Sequence, residues 1–427
     1  MGSPVGLLGV LVLLLIAWGL STERGRLPWR IILGGVGLQF ALAALLIKVP
    51  LVVTLFGAIA SMINDAISAV DEGTKFVWGQ QLGDPQNGFV FAIHAMAIVI
   101  FFASLVSVLY HIGVMQRLIA GLAWVLRRTL GVTGSEALAM AANVFVGQTE
   151  APLCVRPYID RMTRSQLMTL MVGGFATIAG SVLAAYVGML GGTDDASREL
   201  FIRHLLTASL MSAPAAFVVA KIIVPETETP IDEGLKMAQI ERPHVNVLDA
   251  AAGGASDGMK LALNIVAMII AFVSIVTLIN MPLGWLGREL DQNLEDGLGL
   301  QTLSIETILG SAFTPLAWAM GVEWRDCGAI GSLMGQKIVL TEFIAYMRLG
   351  DLINDPEGSQ ISARSAQLGA YALCGFANLA SIAIQIGGFS VIAPSRRRDF
   401  VTLGFKAMIG GALASWMTAS IAGLFIA

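Results

Sequence analysis

The chain has 427 residues, 56% of them hydrophobic, and its charged side chains (26 Lys and Arg, 30 Asp and Glu) make up only 13%. A soluble globular protein carries roughly 25%, so a soluble multidomain enzyme and a disordered chain are excluded, and unbroken apolar runs of about 20 residues exclude an outer-membrane barrel. The net charge of −4 decides little, because in a membrane protein the distribution of Lys and Arg carries the information.

In chain order, the hydropathy predicts an all-α polytopic membrane protein with eight transmembrane helices at 4–21, 31–48, 89–110, 165–190, 200–223, 258–281, 364–391 and 402–427. Each is long enough for the ~20 residues that cross ~30 Å of hydrocarbon. No Lys or Arg precedes the first run, which reads as a spanning helix rather than a signal peptide, and Gly6 stands where a myristoylation signal needs Ser or Thr. An amphipathic stretch at 51–70 is expected on the outer face. Two more have helical spacing and read as interfacial helices: 113–128, with Met115, Leu118, Ile119, Leu122 and Leu126 opposite Gln116, Arg117 and Arg127, and 283–294, with Leu283, Leu286, Leu290 and Leu294 against Arg288, Glu289 and Asp291.

Two segments fit poorly as spans. Residues 134–163 carry Gly147-Gln148-Thr149-Glu150 in their middle and basic clusters on both flanks; 303–350 carry Gly328, Gly331 and Gly335 ahead of Thr341-Glu342. Both read as re-entrant hairpins, tolerated where broken backbone is covered by protein or lines an aqueous cavity. One alternation of sides puts 17 of the 26 basic residues in the cytoplasm: Arg24, Arg26, Arg30, Arg117, Arg127, Arg128, Arg156, Arg161, Arg164, Lys221, Lys236, Arg242, Lys260, Arg396, Arg397, Arg398 and Lys406. Both termini then face outward, and the polar linker from Pro225 to Ser256 is cytoplasmic. The order span, interfacial helix, hairpin, span, span occurs twice, over 89–224 and 258–427, from opposite sides. Such inverted repeats with discontinuous helices belong to alternating-access transporters.

A carboxylate at the bilayer centre costs at least ~3 kcal/mol, so Glu150 and Glu342, both at hairpin tips, call for an offsetting role. Each has a hydroxyl beside it (Thr149, Thr341) and a helix break around it. Such a cluster can bind a polyhydroxylated or heteroaromatic solute, hold a cation, or cap its own hairpin. Later spans are interrupted at Ala176-Thr177-Ile178-Ala179-Gly180-Ser181 and at Gly375-Phe376-Ala377-Asn378-Leu379-Ala380-Ser381. Asn378 and Ser381 share a helix face and suit adjacent hydroxyls, with Phe376 nearby, or they bond between helices. Asn143, Val146, Thr177 and Ile178 offer side-chain and carbonyl oxygens suited to Na⁺. Cys154, Cys327 and Cys374 read as small buried hydrophobes, His94 as a packed polar residue, and Gly173-Gly174 and Gly410-Gly411 as helix-packing positions. There is no phosphate-binding Gly-x4-Gly-Lys-Ser/Thr pattern and no nucleophile beside a base.

The motifs Gly147-Gln148-Thr149-Glu150-Ala151-Pro152-Leu153, Thr341-Glu342-Phe343-Ile344-Ala345-Tyr346 and Gly375-Phe376-Ala377-Asn378-Leu379-Ala380-Ser381-Ile382, in this order, resemble the concentrative nucleoside transporter family. Ser21-Thr22-Glu23-Arg24-Gly25-Arg26 and Val155-Arg156-Pro157-Tyr158 extend the resemblance over nearly the whole chain, and the eight-span length is similar to the bacterial branch. The resemblance implies cation-driven import of nucleosides (uridine-like), a homotrimer in the bacterial inner membrane, no cofactor beyond Na⁺ as coupling ion, and no nucleic-acid partner. It implies a scaffold (1–112 and 225–281) and an elevator-like transport domain (113–224 and 282–427). Carried over, Gln148 and Thr149 contact the nucleobase, with Glu150 beside them and Val182 packing on it. Glu342, Asn378 and Ser381 hold the ribose, Phe376 lines the pocket, and Asn143, Val146, Thr177 and Ile178 form the Na⁺ position. Thr341 and Thr177 depart from the commoner Asn and Ser, which is expected to shift selectivity. An intact Gln-Thr-Glu-Ala-Pro-Leu motif favours Na⁺ over a proton. The alternatives are a proton-coupled symporter, an intramembrane enzyme using Glu150 and Glu342, and a passive channel.

Overall fold

The computed structural model describes residues 4–88, 90–230, 244–292, 303–355 and 357–426. Among them the chain is helical, with no strand. Leu294, and residues 231–243 of the linker with Lys236 and Arg242, lie outside the described residues.

The first four helices are α1 (Gly6–Gly19), α2 (Trp29–Lys48), α3 (Pro50–Gly83) and α4 (Phe91–His111). Pro28 precedes α2 and Pro50 opens α3, positions where a missing N–H costs no helical hydrogen bond. The 14 residues of α1 rise only ~21 Å, so the first expected span is shorter than the hydrocarbon core. The amphipathic 51–70 stretch belongs to a longer helix, the 34-residue α3, which is interrupted at Gly79 (φ 77°). α5 (Val114–Leu130) buries Met115, Ile119, Ala123, Leu126 and Leu130 along one stripe, while Leu118 points outward.

Two helices stop where their sequences turn polar. α6 (Gly134–Val146) ends at Gly147, whose φ of 96° favours glycine, and the chain turns through 148–150 into a 3-10 turn and α7 (Arg156–Ile159). The expected span at 165–190 is two helices, α8 (Arg164–Ala176) and α9 (Gly180–Gly191), parted by extended backbone at Thr177. α10 (Asp195–Ile223) follows, capped by the Asp194 carboxylate. Its Lys221 is no solvated loop cation: it is buried against Glu136, with Glu226 at 3.3 Å and Ser165 Oγ at 3.1 Å. A buried cation needs such partners.

The second half departs from expectation in two places. α11 (Val247–Gln292) runs unbroken through Pro282, so 283–292 continues the span at 258–281 instead of forming a separate interfacial helix. Asn280 supplies a reason, since its side chain accepts from Ile305 N–H and donates to Glu306, docking the next helix and steadying this one. The 303–350 segment is three helices: α12 (Ile305–Ala319), started by the Ser304–Thr307 capping box, then α13 (Cys327–Val339) and α14 (Glu342–Ile353). The arms that meet at Thr341-Glu342 are α13 and α14, and α12 precedes them as α5 precedes α6. α15 (Ala363–Leu373) and α16 (Leu379–Ile392) replace the expected span at 364–391, broken at 374–378, and α17 (Arg397–Phe425) ends the fold.

The order repeats with similar lengths: α5, α6, α8, α9 and α10 have 17, 13, 13, 12 and 29 residues. Their counterparts α12, α13, α15, α16 and α17 have 15, 13, 11, 14 and 29. Among the described residues, seven stretches are long and apolar enough to cross a membrane; six match expected spans, the seventh is 50–87, and α1 and the broken 364–391 do not qualify.

The two halves close on each other through glycine. A Cβ at Gly411 of α17 would lie 2.3 Å from the Phe175 Cβ of α8, and one at Gly375 only 2.5 Å from the Phe175 carbonyl oxygen. Overpacking of this kind costs about 1–3 kcal/mol. Gly411→Val should therefore lower the melting temperature of the purified protein in detergent by several degrees, and an unchanged melting curve would contradict this packing.

Candidate solute-binding site

A cavity of about 420 Å³ lies between the helix breaks and the α4–α11 pair. This is within the range of small-molecule sites, roughly 300–1,000 Å³. All eight residues expected to bind solute line it: Gln148, Thr149, Glu150, Val182, Glu342, Phe376, Asn378 and Ser381. α4 contributes Ser107, Tyr110 and His111 to the opposite wall, and α11 contributes Asp257 and Gly258.

At one end Glu342 is buried at the first turn of α14, which Thr341 caps by accepting the Ile344 N–H. Its Oε1 accepts from Tyr186 OH at 3.0 Å and its Oε2 from Asn378 Nδ2 at 2.7 Å. The Asn378 amide cannot turn over, because its Oδ1 accepts the Ser381 N–H at 2.8 Å and so starts α16. A carboxylate offers about four lone-pair directions. Tyr186 and Asn378 take two of them, and the carboxylate lines the cavity together with Ser381. This end can grip vicinal hydroxyl groups.

Toward the other end, Gln385 Nε2 donates to Gln148 Oε1 at 3.0 Å and to Met171 O at 3.1 Å. That fixes the amide orientation of Gln148 and leaves its NH₂ as a donor. Gly174 makes the approach possible, since a Cβ there would meet Gln385 Nε2 at 2.6 Å and Gln148 Cβ at 2.9 Å. Thr149 and Glu150 are open to the cavity in the turn after α6. Val182 and Phe376 supply apolar surface between the two polar ends. Donors and acceptors around an apolar middle suit a flat heterocycle carrying a polyhydroxylated ring.

Of the four residues expected at a cation position, Val146 reaches the cavity, while Asn143, Thr177 and Ile178 lie behind it. The Thr177 hydroxyl donates to Asn143 O at 3.0 Å and to Gly173 O at 2.8 Å. The Asn143 side chain is 1% exposed, and neither its Oδ1 nor its Nδ2 has a protein partner. An orphaned buried amide oxygen beside the C-terminal ends of α6 and α8 fits a cation, because unpaired helix-end carbonyls carry partial negative charge.

Two residues that support the site had no place in the expectations: Tyr186 and Gln385, which hold Glu342 and Gln148. Their spacing held a signal, since Tyr186 is one helical turn after Val182, and Gln385 is two turns after Asn378.

Comparison with known proteins bears on this geometry. Residues 204–423 match the model of the Na⁺-dependent nucleoside transporter C-terminus, residues 8–81 that of the N-terminus, and residues 92–193 a nucleoside recognition (Gate) model. The chain is 39% identical over 429 residues to the nucleoside permease NupC of Helicobacter pylori, covering 99% of this chain and 98% of that one. It is 42% identical over 423 residues to an uncharacterized transporter of Haemophilus influenzae, covering 98% and 97%. Solute carrier family 28 member 3 of Mus musculus is 38% identical over 97% of this chain, which spans 58% of the mouse protein. Among solved structures, CNTnw in an inward-facing substrate-bound state is similar with a TM-score of 0.88 at 41% identity, covering 99% of this chain and 97% of that one. A doubly substituted CNTnw in an outward-facing state has the same TM-score, identity and coverage.

Proposed function

The chain belongs to the concentrative nucleoside transporter family, whose members are membrane transporters rather than enzymes, and from that premise we propose that it imports nucleosides by symport with Na⁺. One observation carries the reading: α6 and the tip after it hold Asn143 and Val146 of the cation set and Gln148, Thr149 and Glu150 of the solute set within eight residues. Na⁺ between Asn143 and Thr177 orders the end of α6, which presents Gln148 to the base. Loaded and empty carriers then reorient, while half-loaded ones do so poorly. Glu342, Asn378 and Ser381 take the ribose hydroxyls, and Val182 and Phe376 cover the apolar faces.

The cavity also reaches His111 at the end of α4, His244 just before α11 and Asp257 within it, on the side that the Lys and Arg bias assigns to the cytoplasm. This supports an inward-open arrangement with the outward one reached by an elevator-like movement of 113–224 and 282–427 against 1–112 and 225–281. Inverted repeats, a homotrimer in a bacterial inner membrane and outward-facing termini complete the proposal.

Proteoliposomes holding the purified protein should accumulate labelled uridine when Na⁺ outside exceeds Na⁺ inside. With one ion per solute, a tenfold Na⁺ gradient, about 1.4 kcal/mol, sustains at most about tenfold accumulation. Full uptake on a proton gradient alone would instead favour proton coupling. Uptake that never exceeds equilibrium would favour a passive channel.

A further inference from the structure

Lys337 is a buried charge that does not line the cavity. It stands on α13, five residues before Glu342, and its side chain is fully buried. An ammonium has three donors, and three oxygens surround this one: Ala372 O at 3.1 Å, Cys374 O at 2.8 Å and Ser415 Oγ at 3.1 Å. The Ala372 carbonyl belongs to the last turn of α15, and that of Cys374 to the first residue of the gap before α16. A helix end leaves such carbonyls without intrahelical partners, at the negative pole of its dipole.

The first repeat assembles the same parts without a lysine. α6 and α13 are both 13 residues long, and α8 stops at Ala176 before its gap as α15 stops at Leu373 before its own. Where Lys337 meets one break, the other has the Thr177 hydroxyl and the unpartnered amide of Asn143. The two breaks lie against each other, since a Cβ added at Gly375 would stand 2.5 Å from Phe175 O and 2.8 Å from Ala176 O.

We propose that Lys337 is a tethered cation, doing permanently for the α15 break what a bound Na⁺ does for the α8 break. Its ammonium neutralises the end of α15 and so holds Phe376, Asn378 and Ser381, on the far side of the gap, where they meet solute. It is a positioning residue, acting through the backbone of 372–374. The inference rests on the symport reading for its comparison with Na⁺, but not for its own contacts.

The test pairs two substitutions in purified protein and proteoliposomes, with labelled uridine as solute. Lys337→Met keeps the bulk and removes the charge; Lys337→Ala removes both and leaves room for a small amine. A tethered cation requires both variants to lose about tenfold or more of uridine uptake, and Lys337→Ala alone to recover on addition of methylammonium. Lys337→Met transporting at the wild-type rate would overturn the proposal, because bulk alone would then suffice. So would a folded Lys337→Ala that no methylammonium concentration restores. Should neither variant reconstitute, the melting temperature of Lys337→Ala in detergent decides: a rise with methylammonium and none for Lys337→Met supports the tethered charge, and no rise overturns it. Wild-type Na⁺ dependence is measured in the same vesicles. Its absence would sink the symport reading, while the amine response would still judge Lys337.

Discussion

Glu342→Gln is expected to lower uridine uptake by about a hundredfold or more, with little change in the elution profile of the purified protein and a melting temperature lowered by a few degrees at most. Glutamine can accept from Asn378 through Oε1 while its NH₂ donates to the phenol oxygen of Tyr186; only the Tyr186 O–H then loses its acceptor, a cost of about 1–3 kcal/mol that leaves the packing of α14 against α9 in place. What disappears is acceptor capacity toward the cavity. The carboxylate has about two lone-pair directions left after Tyr186 and Asn378 are served, and each charge-assisted hydrogen bond to a solute hydroxyl contributes about 1.5–3 kcal/mol. Losing two such bonds costs at least about 3 kcal/mol, and each 1.4 kcal/mol is tenfold. Tyr186→Phe, which removes one internal donor but leaves the carboxylate, is expected to cost about tenfold or less. Initial rates over a range of uridine concentrations separate the two effects. Wild-type uptake by Glu342→Gln would remove Glu342 from the solute site.

Residues that interrupt an apolar run announce themselves locally, which is why the polar turns at 147–150 and 341–342 and the polar interruptions of the spans at 165–190 and 364–391 were legible, although those two spans were expected to be continuous. Gln148, Thr149 and Glu150 stand in 147–150, and Asn378 and Ser381 stand in 375–381, inside stretches otherwise rich in Ala, Val, Leu and Ile. Polar groups at that depth need partners, so their presence marks a cavity before any coordinates are known. The partners themselves were hidden. Tyr186 reaches Glu342 across 156 positions, Gln385 reaches Gln148 across 237, and Lys337 reaches Ser415 across 78. No window of sequence contains both members of such a pair. Helix boundaries failed for a different reason. Pro282 and the polar residues after it looked like the end of a span, yet α11 continues because Asn280 docks α12 alongside it. The stretch before Thr341 looked like one hairpin arm, yet Ser304 starts a separate helix there. A tertiary partner accompanies the first boundary, and a local capping box sets the second.

Asn143→Ala should divide stability from coupling in a way few buried polar substitutions do. Truncating a buried amide ordinarily costs about 1–3 kcal/mol, because its hydrogen-bond partners are left unsatisfied. Here neither side-chain atom of Asn143 has a protein partner, so nothing is orphaned when it goes; the ion-free protein should melt at the wild-type temperature or slightly above it. The Thr177 hydroxyl keeps its bonds to Asn143 O and Gly173 O, since both acceptors are backbone. The cation position, however, loses its one side-chain amide oxygen. A ligand that binds only the folded state raises stability by about 2.7 kcal/mol at a hundred times its Kd, so wild-type protein should melt higher in NaCl than in choline chloride. That difference should vanish in Asn143→Ala, and the Na⁺ concentration giving half-maximal uridine uptake should rise by about tenfold or more. Loss of stability in choline with an intact Na⁺ response would make Asn143 a packing residue and move the cation elsewhere. An unchanged melting temperature with the Na⁺ response gone ties the ion to the end of α6, just before Gln148, Thr149 and Glu150 of the cavity wall.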